Sequence, residues 1–405
     1  MYLFVNVSFL FKSSINENAK KYTTRHSLVF YPDSEYCKKY AKNLAKSIKD
    51  DSVYDYSLVP YGDYYLVSYG NDLSFFTDKD FNEIQIGQLD DDGKRIISDY
   101  LRYEAKKNKP ELYYTKSFLN DSYVDNLDFE NLSYEIEDEY LKCRFTNYDF
   151  DVLVPLKYIQ KSIDMNFGYK DELYIKPTYI SDIEAHPVIC LTFDDGPLFW
   201  YEPSESSSVS IVDTLYRYDA CGTFFVVGDC LEDRSAWTDY EVYSFLKQSI
   251  NNGNEYGSHT AHHDYLPDLA AEEVKKVISN PNKYLYDLVG YNMKLYRPPE
   301  GVFDEAVSSA SPYPAILWSD DSDDWDLEDS EAIYERMKQR QYYNGDILLF
   351  HEIYDESAEA LKKIVPDLIE RGYQLLTVSD MFKAIGIDEN KLTYYYNLNP
   401  SPYFE

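Results

Sequence analysis

The sequence predicts an α/β fold for the part of the chain after residue 184 and a less regular α+β arrangement before it. Three observations lead to this division. Seven short apolar runs recur after Ala185, helical patterns separate most of them, and earlier strand patterns alternate only irregularly with helices. Repeated strand–helix units place their strands parallel, in an open sheet or a barrel. In either arrangement, chemically active side chains gather at the carboxyl ends of the strands.

The apolar runs are the predicted strands of the α/β part. Two of the helices between them should end at glycines, Gly253 and Gly372, because glycine readily adopts the left-handed conformation that closes a helix. Asn280 and Pro281 predict the start of another helix, with a cap followed by proline at the first helical position. The runs occupy residues 187–193, 221–228, 254–258, 293–297, 313–319, 346–351 and 373–378.

The first part of the chain has strand patterns rich in tyrosine and aspartate. Helices are predicted over Ser34–Lys49 and Gly93–Lys107. Its sequence contains no metal-ligand cluster, glycine-rich loop or catalytic pairing, which favours an accessory or spacer domain. The predicted domains are an α+β domain, an α/β domain and a carboxyl-terminal tail, over 1–184, 185–390 and 391–405.

The apolar amino-terminal segment Met1–Phe11 is too short to span a membrane and has no basic residues before it. We predict a strand here, with the tail of a truncated anchor as the alternative. No other stretch is apolar enough to cross a bilayer, so we expect no transmembrane segment in this sequence.

Composition excludes some classes of function. The 405 residues carry a formal net charge of −33, which argues against nucleic acid as a partner because phosphate binding needs clustered lysine and arginine. The 44 tyrosines indicate a packed globular chain. The five cysteines are odd in number and lack any CxxC spacing, so we expect small buried side chains rather than disulfides or a zinc knuckle. The cysteines do not indicate whether the protein works in an oxidising or a reducing compartment.

Two adjacent carboxylates stand at the end of the first predicted strand. The stretch "LTFDDGP" places Asp194 and Asp195 after an apolar run and before a Gly-Pro turn. Because successive side chains in a strand point in opposite directions, these two should leave the strand end with different aims. The pattern predicts two separate tasks for two neighbouring carboxylates.

A histidine cluster follows the third predicted strand. The chain has six histidines, and "GSHTAHH" holds three of them. His259 and His263 are four residues apart, so both imidazoles can face one point, while His262 offers a competing spacing of three. Two neutral imidazoles with one carboxylate make an open site for a divalent metal.

Three more polar stretches follow predicted strands. "RPPEG" contains Arg297, a permanent cation that can hold a carboxylate with two hydrogen bonds. "WSDDSDDW" is rich in aspartate but lacks the glycine and the terminal glutamate of an EF-hand, which argues against calcium. "ILLFHE" ends a buried strand at His351, where other strands already place polar groups.

Together these five stretches resemble the ordered motifs of the polysaccharide deacetylase family, also called the NodB-homology domain or carbohydrate esterase family 4. The resemblance covers Ala185 to roughly Ile385. It selects His263 over His262, and it departs from the family pattern at Glu300, where the family has tyrosine, and at Glu352, where aspartate is usual. The matching segments are "TFDDGP", "HTAHH", "RPPEG", "DSDDW" and "LFH".

The resemblance implies a distorted (β/α) barrel of about seven strands and metal-dependent removal of acetyl groups from polysaccharides. The implied ligands of one divalent metal are Asp195, His259 and His263, with zinc by default and cobalt or nickel as alternatives. Asp194 would be the general base, oriented by Arg297. His351 would be the general acid, held by Asp324. The implied substrate-binding residues are Pro298, Glu300, Trp325 and Leu349, with the oxyanion held by the metal and a backbone N–H near Glu300.

The expected substrate is an acetylated polysaccharide. "FDVLVPLKYIQKSI", Phe150–Ile163, loosely resembles extracellular domains found ahead of bacterial peptidoglycan deacetylases, which favours N-acetylglucosamine of the cell wall and a bacterial cell-surface or extracellular location. A signal or anchor segment would then be missing from this sequence. The alternatives are an O-acetyl xylan esterase, a chitin deacetylase, a small-molecule amidohydrolase and an inactive wall-binding module. The loop Leu198–Ser208 is the predicted wall of the substrate groove.

Overall fold

The computed structural model describes six strands before residue 85, and then residues 89–396 apart from 138, 164, 166–168, 171, 390 and 391. The predicted strand at Met1–Phe11 and the predicted helix at Ser34–Lys49 lie outside these residues. The six strands are β1 Lys20–Thr23, β2 Ser27–Tyr31, β3 Tyr54–Tyr61, β4 Tyr64–Tyr69, β5 Leu73–Thr77 and β6 Glu83–Ile84.

The chain divides into two compact units. One consists of residues 1–105 and 124–174, and the other of residues 106–123 and 175–405. The second unit thus includes a segment that lies well before the predicted α/β domain in sequence. The predicted functional limits 1–184, 185–390 and 391–405 stay predictions.

The first unit contains two sheets. One has the order β1-β2-β3-β4-β5-β6, with every pairing antiparallel except β2 with β3. The other is antiparallel, with the order β7-β8-β9. Its side chains alternate as a half-buried sheet requires, since Leu141 and Cys143 are buried on the middle strand. The elements are β7 Ser133–Glu137, β8 Tyr140–Arg144, β9 Val152–Pro155 and the short helix α4 Leu156–Ile159.

The predicted helix over Gly93–Lys107 is confirmed as α1, Asp91–Asn108. Its buried face carries Ile97, Leu101 and Ala105, all 0% exposed and spaced four residues apart. Aspartates in the first turn and lysines in the last turn complement the helix dipole. Local charge and periodicity therefore agree with the fold here.

The second unit is built on a parallel sheet with the order β12-β11-β10-β15-β14, and β16 pairs with the start of β10. Isolated parallel bridges join Ser258 to Tyr296 and Tyr296 to Ala315. Each predicted run contains one of these strands or bridges, so the parallel α/β arrangement is confirmed. The count of about seven barrel strands stays a prediction. The strands are β10 Val188–Asp194, β11 Gly222–Val226, β12 Glu255–Ser258, β13 Ala315–Ile316, β14 Asp320–Asp321, β15 Ile347–His351, β16 Gln374–Leu375 and β17 Tyr394–Tyr395.

Helices lie before and between these strands in the chain. Gly253 and Gly372 follow two of them with φ of 93° and 89°, so both predicted glycine ends are confirmed. The helices in chain order are α2 Pro110–Tyr113, α3 Lys116–Asp121, α5 Ser207–Arg217, α6 Gly228–Glu232, α7 Asp239–Asn251, α8 Ala271–Val289, α9 Glu305–Ala310, α10 Asp324–Leu327, α11 Ser330–Lys338, α12 Asp355–Glu370 and α13 Val378–Ile385. Short 3₁₀ turns lie at Val124–Asn126, Pro203–Glu205, Leu266–Asp268 and Pro299–Gly301.

The predicted helix start at Asn280 and Pro281 is wrong. Pro281 lies inside α8, which begins at Ala271. The helix continues through the proline because its apolar stripe, including Val274, Ile278 and Leu285, is buried in the core. Tertiary burial thus outweighs the backbone hydrogen bond that proline cannot make.

The core of the second unit surrounds β10. All seven residues of this strand are buried, as expected for a parallel strand covered on both faces. Cys143, Cys190, Cys221 and Cys230 are free and buried, as predicted, and Cys37 lies outside the described residues. Among the helices that the structure describes, none combines the length and the apolar character needed to cross a membrane.

Candidate active site

The candidate site lies where several strands of the second unit end. Asp194 is the last residue of β10, and His351 is the last residue of β15, directly across the ladder from it. His259 follows β12, and Arg297 follows the bridge at Tyr296. Because parallel strands present their carboxyl ends at one edge of a sheet, residues distant in sequence meet there.

Asp194 and Arg297 form a buried ion pair. Arg297 Nη1 donates to Asp194 Oδ1 at 2.8 Å, and the two side chains are 4% and 0% exposed. Arg297 is itself held, since it also donates to Thr192 Oγ1 and to the backbone carbonyls of Ile316 and Leu317. Burial raises the pKa of Asp194, and the positive charge of Arg297 opposes that rise. The ion pair therefore holds the Asp194 carboxylate in one orientation, and burial and the Arg297 charge act on its pKa in opposite directions.

Asp195, His259 and His263 form a set of three metal-ligand side chains. One ligand atom from each lies within 4.8 Å of the others. Asp195 Oδ1 is 3.4 Å from His259 Nε2 and 3.7 Å from His263 Nε2. Among the residues that the structure describes, this oxygen is buried without a hydrogen-bond partner. A buried oxygen left unpaired between two imidazoles fits a divalent cation.

The protonation of His259 also suits a metal. Its Nδ1 lies 2.9 Å from the carbonyl oxygen of Arg297, which can only accept, so Nδ1 carries the hydrogen and Nε2 keeps its lone pair. Burial lowers the pKa of His259 to about 4, and the imidazole is therefore neutral near pH 7. His262, by contrast, is turned toward Asp229, with Nδ1 and Oδ1 2.8 Å apart.

His351 and Asp324 form a second acid–base pair. His351 Nδ1 lies 2.7 Å from Asp324 Oδ1, and the other carboxylate oxygen accepts from the backbone N–H of His351 and from the Ser357 hydroxyl. Although burial lowers it, the hydrogen bond and charge of Asp324 raise the pKa of His351 to about 9. The imidazole is therefore protonated near pH 7, as a general acid requires.

The four predicted substrate-binding residues differ in exposure. Pro298 and Leu349 are buried, with Leu349 only 3% exposed. Trp325 is 54% exposed, directly after Asp324 in the chain. Glu300 is exposed and has a φ of 56°, in a turn that immediately follows Arg297 and Pro298.

Comparison with known proteins identifies the family. The family described as "Polysaccharide deacetylase" matches residues 182–313. A peptidoglycan-N-acetylglucosamine deacetylase of Bacillus cereus is 31% identical over 204 residues, which cover 48% of this chain and 88% of that protein. The chain belongs to the polysaccharide deacetylase family.

Two further similarities concern one relative. The peptidoglycan-N-acetylmuramic acid deacetylase PdaC of Bacillus subtilis is 32% identical over 194 residues, covering 48% of this chain and 38% of that protein. The chain thus spans about two fifths of the length of PdaC. The solved structure of this B. subtilis deacetylase has a TM-score of 0.44 at 31% identity, with 50% of this chain and 92% of that one covered.

A cleft in this polysaccharide deacetylase chain lies next to the general-acid candidate. Its volume is about 650 Å³, and its walls include Tyr201, Ser207 and Tyr354. The ring of Tyr354 is also 5.7 Å from the ring of His351, measured between centroids. Part of the predicted groove loop, namely Leu198, Tyr201 and residues 204–207, lines this cleft, whereas Phe199 is fully buried and packs against Trp237.

Three residues of the site were missed in the sequence. Thr192 accepts a hydrogen bond from Arg297, and Ser357 donates one to Asp324. Strand alternation could have found Thr192, because it lies two residues before Asp194 and shares its face. Burial raises the pKa of Glu352 to about 8, which the Ser208 hydroxyl opposes and the Asp195 charge reinforces. No local pattern identifies Ser357, and Glu352 was noted in the sequence only as a departure from the family pattern.

Proposed function

We propose that the chain is a metal-dependent deacetylase that hydrolyses N-acetyl groups of a polysaccharide, with N-acetylglucosamine of peptidoglycan as its main substrate. One observation carries the proposal. A buried carboxylate, a three-ligand set and a protonated imidazole meet at the ends of neighbouring strands. Hydrolysis of an amide needs a base, an electrophilic centre and an acid in that proximity.

Asp195, His259 and His263 would hold the metal, with zinc as the expected ion. A divalent ion supplies Lewis acidity, which polarises the acetyl carbonyl and makes water a better nucleophile at neutral pH. The chain's own contribution is to keep the imidazole of His259 neutral and to aim both imidazoles at one oxygen of Asp195. The Arg297 carbonyl, which fixes the ring of His259, also belongs to this support.

Asp194 would take the proton of the attacking water. One of its oxygens is occupied by Arg297, while the other lies 3.7 Å from His259 Nε2 and faces the ligand set. Arg297 orients the Asp194 carboxylate, and its positive charge offsets the cost of ionising that buried group. The two neighbouring aspartates therefore divide the work, with Asp195 binding and Asp194 accepting a proton.

His351 would protonate the leaving amine as the carbon–nitrogen bond breaks. Asp324 fixes the Nδ1 side of the ring and leaves Nε2 for proton transfer. A backbone N–H near Glu300 would stabilise the developing oxyanion. Leu349 and Trp325 would line the slot for the acetate methyl group, and Pro298 would stiffen the adjoining turn.

The cleft beside His351 supports a polymer rather than a small amide as substrate, because it extends the site beyond the reacting group. The B. subtilis and B. cereus relatives are named as peptidoglycan deacetylases. We therefore place this enzyme at the bacterial cell surface or outside it. Residues 1–184 would serve as an accessory domain.

Acetate release tests the proposal. Purified protein loaded with zinc, cobalt or nickel is assayed on peptidoglycan, N-acetylglucosamine oligomers and acetylated xylan. We expect activity on the first two that chelation abolishes and metal restores. Highest activity on xylan would indicate an O-acetyl esterase, and no acetate from any substrate would indicate an inactive wall-binding module.

Metal analysis tests the ligand set separately. We expect one zinc ion per chain, lost in His263→Ala and retained in His262→Ala. Of these two histidines, His263 faces Asp195 and His262 faces Asp229. The opposite pattern would overturn this assignment.

A further inference from the structure

Glu352 stands out among the buried groups of the second unit. Its side chain is 1% exposed. Among the residues that the structure describes, its Oε2 atom has no hydrogen-bond partner. A buried carboxyl oxygen without a partner is unfavourable to folding. Such a group is retained where it serves another purpose.

The neighbour of this carboxyl is the turn that carries Asp195. A Cβ atom added at Gly196 would lie 2.1 Å from Glu352 Oε2, and the three nearest atoms to it all belong to the Glu352 side chain. Glycine at this position therefore lets the carboxyl pack directly against the backbone. Asp195, one residue earlier, has a φ of 74°, a conformation that a non-glycine residue keeps only when its surroundings impose it.

Both ends of Glu352 are held. Its backbone N–H donates to the carbonyl of Asp194 at 2.8 Å, and its own carbonyl accepts from the Ser207 hydroxyl at 2.5 Å. Burial raises the pKa of the Glu352 carboxyl, and the nearby Ser208 hydroxyl opposes that rise. The side chain is thus clamped between the turn and the first residues of α5, which also line the cleft.

We infer that Glu352 is a positioning residue for the metal site, whose carboxyl presses on the Asp194–Gly196 turn and thereby aims the Asp195 carboxylate at the two histidines. The inference rests on the proposed metal-dependent function. Groups that orient metal ligands typically contribute about 10- to 100-fold to metal affinity. The contact at Gly196 is steric, so the shape of the Glu352 side chain should matter most.

Zinc affinity tests the inference, measured by competition with a chromophoric chelator alongside the Tm of the metal-free protein. Glu352→Ala should weaken zinc binding about 10- to 100-fold. Glu352→Gln, which keeps the shape, should retain most of the affinity. The matched control is Glu255→Ala, because Glu255 is also buried but is fully engaged with Thr223 and Ser379. That variant should lower Tm and leave zinc affinity unchanged.

A double-mutant cycle covers the case in which Glu352→Ala folds poorly. Gly196→Ala adds the methyl group that Glu352 blocks, and it should weaken zinc binding at least about tenfold. Adding Glu352→Ala should then cost little more, because both changes act through one contact. Fully additive losses, or equal zinc affinity in Glu352→Ala and Glu255→Ala, would overturn the inference. If the unsubstituted chain binds no zinc, the proposed metal site fails as well.

Discussion

Two carboxylates of the second unit, the buried Asp194 and the largely buried Asp219, each accept a hydrogen bond from a cation but differ in their other partners. Asp194 receives Arg297 Nη1 at 2.8 Å, and Asp219 receives Lys176 Nζ at 2.8 Å. At Asp219 the second oxygen is also occupied, by the Tyr113 hydroxyl at 2.8 Å. At Asp194 the second oxygen faces His259 at 3.7 Å. Both oxygens of Asp219 thus accept hydrogen bonds, whereas one oxygen of Asp194 faces the three-ligand set.

Asp219, Tyr113, Lys176 and the neighbouring Lys106 form a cluster, here called the Asp219 cluster, that joins distant parts of the sequence. Tyr113 belongs to the segment 106–123, which lies far before the parallel sheet in the chain. Lys106 is buried beside the cluster, and burial lowers its pKa to about 8, which the charge of Asp219 opposes and that of Lys176 reinforces. The cluster therefore combines a stabilising ion pair with a second buried cation that is unfavourable to folding.

The largest expected effect separates the two aspartates. Asp194→Asn should lower kcat by about 10²–10⁴-fold and retain zinc, because an amide cannot accept the proton of water. Asp219→Asn should leave kcat nearly unchanged but destabilise the protein by up to about 3 kcal/mol, because it removes the negative charge that pairs with the buried Lys176 ammonium. Kinetics, zinc content and urea unfolding of both variants decide this. Zinc loss in Asp194→Asn would break the division of roles.

The second prediction concerns a third buried pair, His351 with Asp324. An amine must be protonated to leave, whereas an activated aryloxide leaves without help. His351→Ala should therefore cost about 10²–10⁴-fold on N-acetyl sugars and much less on an aryl acetate ester. Asp324→Asn should show the same asymmetry more weakly. Equal losses on both substrates would mean that His351 only binds or packs.

A third prediction uses pH to contrast the site with the Asp219 cluster. The pKa of His351 is raised to about 9, so its protonated pair with Asp324 is fully formed below its unfolded pKa of about 6.5 and is lost as pH rises through about 9. Amide hydrolysis should accordingly fall above pH 9. A pH–rate profile in which Asp324→Asn moves this fall in rate to lower pH would confirm the assignment. If the fall stays at the same pH, deprotonation of His351 does not cause it.

Lys106 should respond to pH with the opposite sign. Its pKa is lowered to about 8, so the cost of burying its charge is fully present below pH 8 and disappears as pH rises toward its unfolded value of about 10.4. Lys106→Met should raise Tm at pH 7, and the gain should shrink between pH 8 and 10. A gain that is constant across this range would mean that packing, not charge, causes it.

The smallest expected effect is that of Tyr113→Phe. Removing one hydroxyl from Asp219 should cost about 1 kcal/mol of unfolding free energy and leave kcat unchanged. Tyr123→Phe is a matched control, because its hydroxyl donates to the exposed Asp213. The control should lose less stability in the same urea titration.

Periodicity in the sequence was sufficient for the α/β class, for seven strand or bridge positions and for α1, but it did not predict the parallel strands β14 and β17. These features depend on local patterns, in which apolar runs, capping residues and charge at helix ends agree with one another. The same patterns placed Asp194, Arg297 and His351 at strand ends, where the structure brings them together. Spacing alone left His262 and His263 as alternatives, and the structure distinguishes them because His263 lies 3.7 Å from Asp195 whereas His262 is turned toward Asp229.

Side-chain alternation and helix periodicity are properties of neighbouring residues, so the fold class and the chemical groups at the strand ends could be predicted from the sequence. Three features became visible only in the folded chain: α8 continues through Pro281, residues 106–123 belong with the parallel sheet, and Glu352 lies against Gly196. Each of these depends on burial against residues far away in the chain. Such burial outweighs local preference, and no spacing in the sequence records it.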